Sequence, residues 1–141
     1  MKSNAFIFYV KEIPRSTRNI CSPCDIYFRM MDLAKADQES FWAIGYNSQN
    51  QEVCNECLFI GGVDQCSVDK RILFKRLLMA GASKYMIIHN HPGGDCKPSK
   101  GDIKLTNKIK EGSEILDLEL LDHVIIAEHK YCSFKEDNLL N

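Results

Sequence analysis

Tyr85-Met86-Ile87-Ile88-His89-Asn90-His91-Pro92-Gly93-Gly94-Asp95-Cys96-Lys97-Pro98-Ser99-Lys100-Gly101-Asp102 joins an apolar run to the densest group of metal-ligating side chains in the chain. Residues 85–88 read as a buried strand. His89 and His91, two positions apart on extended backbone, leave it on the same face. Pro92-Gly93-Gly94 then turns the chain, and Pro98-Ser99 opens a helix with Ser99 as its N-cap. Asp102 falls in that helix's first turn, directed back toward the strand end. His89, His91 and Asp102 are nitrogen and oxygen donors suited to Zn²⁺, and three protein ligands leave a fourth tetrahedral position for water.

Two plainer readings use the same residues. Ser99-x-x-Asp102 is close to a capping box, which needs no metal. Asn90-His91-Pro92-Gly93 can be an ordinary turn with incidental histidines. The capping role does not compete with the metal role, because a carboxylate has two oxygens to share.

The spacing H-x-H-x7-S-x2-D resembles that of the JAMM (MPN+, JAB) metalloprotease-like domains. Ile88-His89-Asn90-His91-Pro92, Pro98-Ser99-x-x-Asp102 and Leu121-Asp122-His123-Val124-Ile125-Ile126 are most similar to the RadC-like branch. The resemblance runs from about Ser22-Pro23 to the C-terminus, leaving residues 1–20 outside it as an N-terminal strand and linker. It implies a single JAB/MPN-type layered α/β domain, with a mixed central sheet flanked by helices in the cytidine-deaminase-like manner. It also implies Zn²⁺ as cofactor and hydrolysis of a peptide or isopeptide bond. The chain departs from the branch at Gly93, where Ser is more usual, at Cys96 in the site loop, and in length. Longer relatives carry an N-terminal helical domain, so this chain reads as a stand-alone form.

The family pattern asks for a glutamate upstream of the ligands, and the matching position is Glu39, in Asp37-Gln38-Glu39-Ser40-Phe41-Trp42. Its implied role is general base on the metal-activated water. By itself Glu39 looks like a solvated residue at a strand start. Glu52 and Glu56 are alternatives that match nothing in the pattern. Ser99 is the implied catalytic hydroxyl.

Composition narrows the class. A chain of 141 residues with 45% hydrophobic content suits one domain with its own core, here residues 1–141. A net charge of −1 gives no global attraction to nucleic acid. No apolar run approaches a membrane span, and the first residues lead into no signal-peptide core. Seven cysteines, an odd number without a secretion signal, suggest reduced thiols in a cytoplasmic protein. Cys21-x-x-Cys24 and Cys54-x-x-Cys57 raise a structural Zn(Cys)₄ site, but residues 52–60 read as a strand, on which Cys54 and Cys57 face opposite ways. Most cysteines are better taken as small buried apolar groups. Cys96 could act as an inhibitory fourth ligand beside the metal.

The expected order is a strand (about Ala5 to Val10), a helix (about Cys24 to Lys35), and a hairpin of Ser40 to Tyr46 with Gln51 to Ile60 across a turn at Asn47–Asn50. A helix from Val68 to Ala80 follows, N-capped by Ser67 and closed by Gly81, with Ile72, Leu73, Leu77 and Leu78 on its apolar stripe. The His89 strand, a helix from Ser99 to Ile115, a strand from Glu119 to Ala127 and a short return at Tyr131 to Phe134 complete the chain. Such alternation argues a layered α/β domain. His123, in an apolar strand, reads as a core histidine with a second role supporting the ligands as the alternative; His129 carries no hypothesis. Lys97, Lys100, Lys104 and Lys108 make a positive stripe that is chiefly a solvated helix face, or else a weak nucleic-acid contact. Two functions remain: a zinc-dependent peptidase or isopeptidase, and a nucleic-acid-associated repair or recombination accessory, the second implied by the RadC resemblance. Cytidine deamination is excluded, since H-x-E and P-C-x-x-C are both missing.

Overall fold

Periodicity of two in the strands and of 3.6 in the helices resolves into three layers. The structure, a computed structural model, describes residues 20, 22–63 and 67–140. The expected strand at Ala5–Val10 and the cysteine Cys21 lie outside them. Helix α1 (Pro23–Met30) is followed by a 3₁₀ turn (Met31–Lys35), then β1 (Ser40–Tyr46), β2 (Glu52–Ile60), α2 (Lys70–Met79), β3 (Lys84–Asn90), α3 (Lys100–Ile115), β4 (Glu119–Ala127) and β5 (Lys130–Ser133). The strands form one sheet in the order β2-β1-β3-β4-β5. All neighbours are antiparallel except β3 and β4, which are parallel and joined through α3. A parallel pair needs such a crossover, so the helix between them is dictated by topology.

Each face of the sheet buries its own apolar set. Trp42, Ile44, Met86, Ile88, Val124 and Ile126 pack on Ile26 and Met30 of α1. Phe41, Ala43, Tyr85 and Ile87 pack on Leu73 and Leu77 of α2 and on Leu105 and Ile109 of α3. β1 and β3 are buried on both faces, which is why they read as continuous apolar runs. The domain is thus a small α/β fold with a mixed five-stranded sheet between helical layers.

Several expectations need correction. α1 stops at Met30 and tightens into a 3₁₀ turn instead of running to Lys35 as one helix. α2 is capped by Asp69, whose carboxylate accepts from the Arg71 N–H at 2.9 Å. Ser67 instead donates its hydroxyl to the Gly62 carbonyl. Ile72 and Leu78 are 43% and 51% exposed, so the buried stripe of α2 is only Leu73 and Leu77. Gly81 does close this helix: at φ +76° it donates to the Leu78 carbonyl while Ala82 donates to Leu77, a Schellman ending. Cys96 is bonded to Cys132 and packs with Ile125 and Phe134 in a small apolar cluster, so it is neither a reduced thiol nor a ligand.

Candidate metal centre

The antiparallel register of β1 with β3 pairs Phe41 with His89. Continued one residue past the strand ends at Ser40 and Asn90, it sets Glu39 opposite His91. The buried Asn90 fixes this juncture: its Oδ1 accepts from the Ser40 N–H (2.7 Å) and Ser40 hydroxyl (2.9 Å), and its Nδ2 donates to the Leu33 (2.9 Å) and Gln38 (3.0 Å) carbonyls. Every hydrogen-bonding site of that amide is used to hold the segment that carries Glu39. Sequence reasoning passed over Asn90, whose type gives no signal apart from its place between two histidines.

Asp102 arrives from the other side. Ser99 Oγ accepts from the Asp102 N–H at 3.0 Å, and Asp102 Oδ2 accepts from the Ser99 N–H at 2.8 Å, a complete capping box. That box locks the carboxylate at the start of α3, where the helix dipole favours negative charge. The structure therefore brings together four of the five expected residues directly: His89 Nε2 and His91 Nε2 are 3.0 Å apart, Asp102 Oδ1 is 3.3 Å from His89 Nε2, and Asp102 Oδ2 is 3.2 Å from His91 Nε2. Glu39 Oε1 stands 4.0 Å from His91 Nε2. Among the described residues, Glu39, His89 and His91 form a group able to hold a metal ion, one donor atom each, all within 4.8 Å. The Asp102 carboxylate adjoins this group, one oxygen toward each histidine. Ser99 is exposed and makes the helix cap.

The alternatives fall away on position. Glu52 is paired with Arg29 through both carboxylate oxygens (2.5 and 2.8 Å), and Glu56 faces Arg76 at 3.6 Å. Cys54 is buried against α2, Cys57 packs on the α1 side and Cys24 is exposed, so these three thiols do not gather. Burial pushes the Cys57 thiol up to about 12, the acidity of an inert group.

Electrostatics follow from burial. His89 and Asp102 are 0% and 1% exposed, whereas Glu39 and His91 line an open cleft of about 610 Å³ with Asp37, Gly61, Asp95 and Lys97. Burial alone raises the Asp102 carboxyl, yet hydrogen bonds from His89 and His91 outweigh it and hold the group well below the usual carboxylate range. The same contact with Asp102 raises His91 against the opposing effect of its partial burial. His91 Nδ1 lies 3.1 Å from the Asp95 carbonyl, an acceptor, so that nitrogen carries the proton and Nε2 is left toward Asp102.

Two residues extend the cluster inward. His123 Nε2 is 2.7 Å from His89 Nδ1, and Thr106 Oγ1 is 2.6 Å from His123 Nδ1. Burial first, then the neighbouring His89, holds the His123 imidazole well below its ordinary value, so it is neutral. Thr106 had no distinguishing signal in the sequence. Lys97, Lys100, Lys104 and Lys108 are all exposed, and only Lys97 of the stripe borders the cleft. No helix of the described residues is long and apolar enough to cross a membrane.

Fold and site together define an α/β domain with a histidine and carboxylate cluster, able to hold a metal ion, at the end of its central strands. The chain belongs to the RadC-like JAB domain family, whose model matches residues 20–139. It is similar to the UPF0758 proteins of Methanosarcina barkeri (36% identical over 124 residues, 87% of this chain and 54% of the relative) and Bacillus licheniformis (36% over 132 residues, 94% and 55%). The UPF0758 protein of Carboxydothermus hydrogenoformans is 38% identical over 122 residues, covering 86% and 54%. The chain spans about half the length of these relatives.

Proposed function

We propose that the chain is a zinc-dependent hydrolase of the JAMM type that cleaves a peptide or isopeptide bond. The observation that carries this reading is the convergence of His89 Nε2, His91 Nε2 and the Asp102 carboxylate: the nitrogens are 3.0 Å apart, Asp102 Oδ1 is 3.3 Å from the first and Asp102 Oδ2 is 3.2 Å from the second. Zinc bonds of about 2.0–2.1 Å at tetrahedral angles separate neighbouring donors by roughly 3.3 Å, the range in which each nitrogen stands from the other and from one carboxylate oxygen, so the donor set suits a zinc ion. Zinc bound there would supply Lewis acidity, polarising a carbonyl and acidifying water near neutral pH.

The remaining residues have separate tasks. Glu39 Oε1, in the cleft wall and 4.0 Å from His91 Nε2, is the base in this reading, taking a proton and returning it to the leaving amine. Ser99 Oγ already accepts from the Asp102 N–H, yet its own O–H remains to donate to a developing oxyanion. The open cleft leaves room for an extended substrate backbone beside Glu39 and Lys97.

The test is a screen of peptide and isopeptide substrates on zinc-loaded protein, with metal content measured in parallel. Wild-type protein is expected to bind one Zn²⁺ and turn over a substrate. A His89→Ala, His91→Ala double variant should lose both while keeping its fold. Full metal content in that variant, or no cleavage by fully loaded wild type across the library, overturns the reading.

A further inference from the structure

Resting on the metal site proposed above, we infer that Thr106 and His123 are positioning residues that hold His89 in the one tautomer able to bind the ion. The argument is a count of protons along buried hydrogen bonds. A neutral imidazole carries one N–H. If His89 Nε2 faces a metal, the His89 proton is on Nδ1, and the partner at that atom among the described residues is His123 Nε2, 2.7 Å away. His123 Nε2 must then accept, so the His123 proton is on Nδ1, 2.6 Å from Thr106 Oγ1. Thr106 accepts it and donates its single hydroxyl proton to the Asp102 carbonyl at 2.7 Å. No atom is left to choose. The chain begins at one proposed ligand and ends on the backbone of another.

The opposite proton order is also self-consistent, and it shuts the site. Thr106 would donate to His123 Nδ1, His123 Nε2–H to His89 Nδ1, and His89 Nε2–H would point at Asp102 Oδ1, 3.3 Å away. An N–H there excludes a cation. Removing the hydroxyl as acceptor strands the His123 Nδ1–H in a dry core and tips the balance to this second order. His123 cannot evade the choice by rotating: it is 0% exposed, stacked on Phe134 with ring centroids 4.4 Å apart, and edge-on to Phe41. Supporting partners of this kind are a general feature of metal-binding histidines. Here the partner is a second histidine whose own proton is set by a threonine on the ligand-bearing helix.

The experiment compares Thr106→Val, which keeps the shape and removes the hydroxyl, with Thr106→Ser, which keeps the hydroxyl. Zinc affinity is measured by competition with a chromophoric chelator, and melting temperature is followed separately. Thr106→Val should bind zinc about 10- to 100-fold more weakly, the usual loss when such a partner is removed. Thr106→Ser should bind as wild type does. Proton-nitrogen correlation spectra of histidine-labelled, zinc-loaded wild type should show His123 protonated at Nδ1 and bare at Nε2. That measurement needs no variant, so it decides the matter even if Thr106→Val does not fold. Wild-type affinity in Thr106→Val, or a proton on His123 Nε2 in the loaded protein, overturns the inference while leaving the metal site standing. A wild type that takes up no zinc overturns both.

Discussion

Replacing Glu39 by Gln separates the two roles its position allows, base or ligand. Glu39 is partly exposed at 27%, its Oε2 accepts from the Val63 N–H at 3.3 Å, and its Oε1 lies 4.0 Å from His91 Nε2. Gln has the same shape and keeps a carbonyl oxygen for Val63, so stability should change by less than about 0.5 kcal/mol. The 4.0 Å separation from His91 exceeds the roughly 3.3 Å between neighbouring donors in a tetrahedral zinc shell, so on the proposed reading Glu39 would stand outside such a shell and zinc should stay bound. What disappears is the capacity to take a proton. General-base losses run to about 10²- to 10⁴-fold, which is roughly 3–5 kcal/mol of barrier. The assay pairs zinc stoichiometry with kcat on a substrate from the screen. Expected are one bound zinc and turnover reduced at least about 100-fold. Loss of zinc from Glu39→Gln would refute the distance argument and make Glu39 a ligand with His89 and His91; unchanged kcat would remove it from the reaction altogether.

Ser99→Asp should preserve the α3 cap, since Asp caps as well as Ser, but it removes the donated hydroxyl; we expect a wild-type melting temperature with turnover down by about 10²-fold, and an active variant would leave Ser99 only its capping role. Zinc affinity should fall as pH drops through the histidine range: the contact with Asp102 raises His91, so its proton competes with the metal at and above the ordinary 6.5, and calorimetry that finds no proton release on zinc binding near pH 7 would contradict this. The Cys96–Cys132 disulfide spans 36 residues, for which loop-closure entropy gives about 4 kcal/mol; reductant or Cys132→Ser should lower the melting temperature accordingly, and a melt indifferent to both would deny the bond any stabilising role.

Local signals carried most of the fold. The apolar run in residues 40–46, the run from Tyr85 to Ile88 and the Ser99-x-x-Asp102 pair are each legible because neighbours in sequence settle them. Errors arise where packing decides. Ile72 and Leu78 share the stripe of Leu73 and Leu77 by composition, but α2 is amphipathic over a narrower arc than its apolar content suggests. Asp69 and Ser67 are both competent caps, and only the place where the chain leaves the loop selects between them. At the site, His89, His91 and Asp102 were readable from spacing. Glu39 was readable only through the family resemblance, since nothing in its own surroundings marks it. Thr106 and Cys132 were not readable at all. Their partners lie 17 and 36 residues away, and the pairing depends on how α3 and β5 lie against β4.

The buried carboxylate explains why these side chains converge as they do. Asp102 is 1% exposed, and the ion pairs it makes among the described residues are with His89 and His91, not with a lysine or arginine. A buried charge without a cationic partner is costly, so something positive must occupy the space among these atoms. A proton can do it, which is the meaning of the raised His91 and the lowered Asp102. Above the histidine range that proton is lost, and the nitrogen lone pairs and carboxylate oxygens, 3.0–3.3 Å apart, repel one another unless His89 turns its remaining N–H inward, the order that excludes a cation. No hydrogen-bonding pattern relieves that arrangement without an N–H pointing into the centre. A divalent cation would relieve it, and the hydrogen bonds that the outer Nδ1–H groups donate to the Asp95 carbonyl and to His123 Nε2 would hold both rings with their Nε2 atoms facing it. Above the histidine range an empty cluster therefore has to turn an N–H into its own centre, and that is the physical reason to expect a cation there.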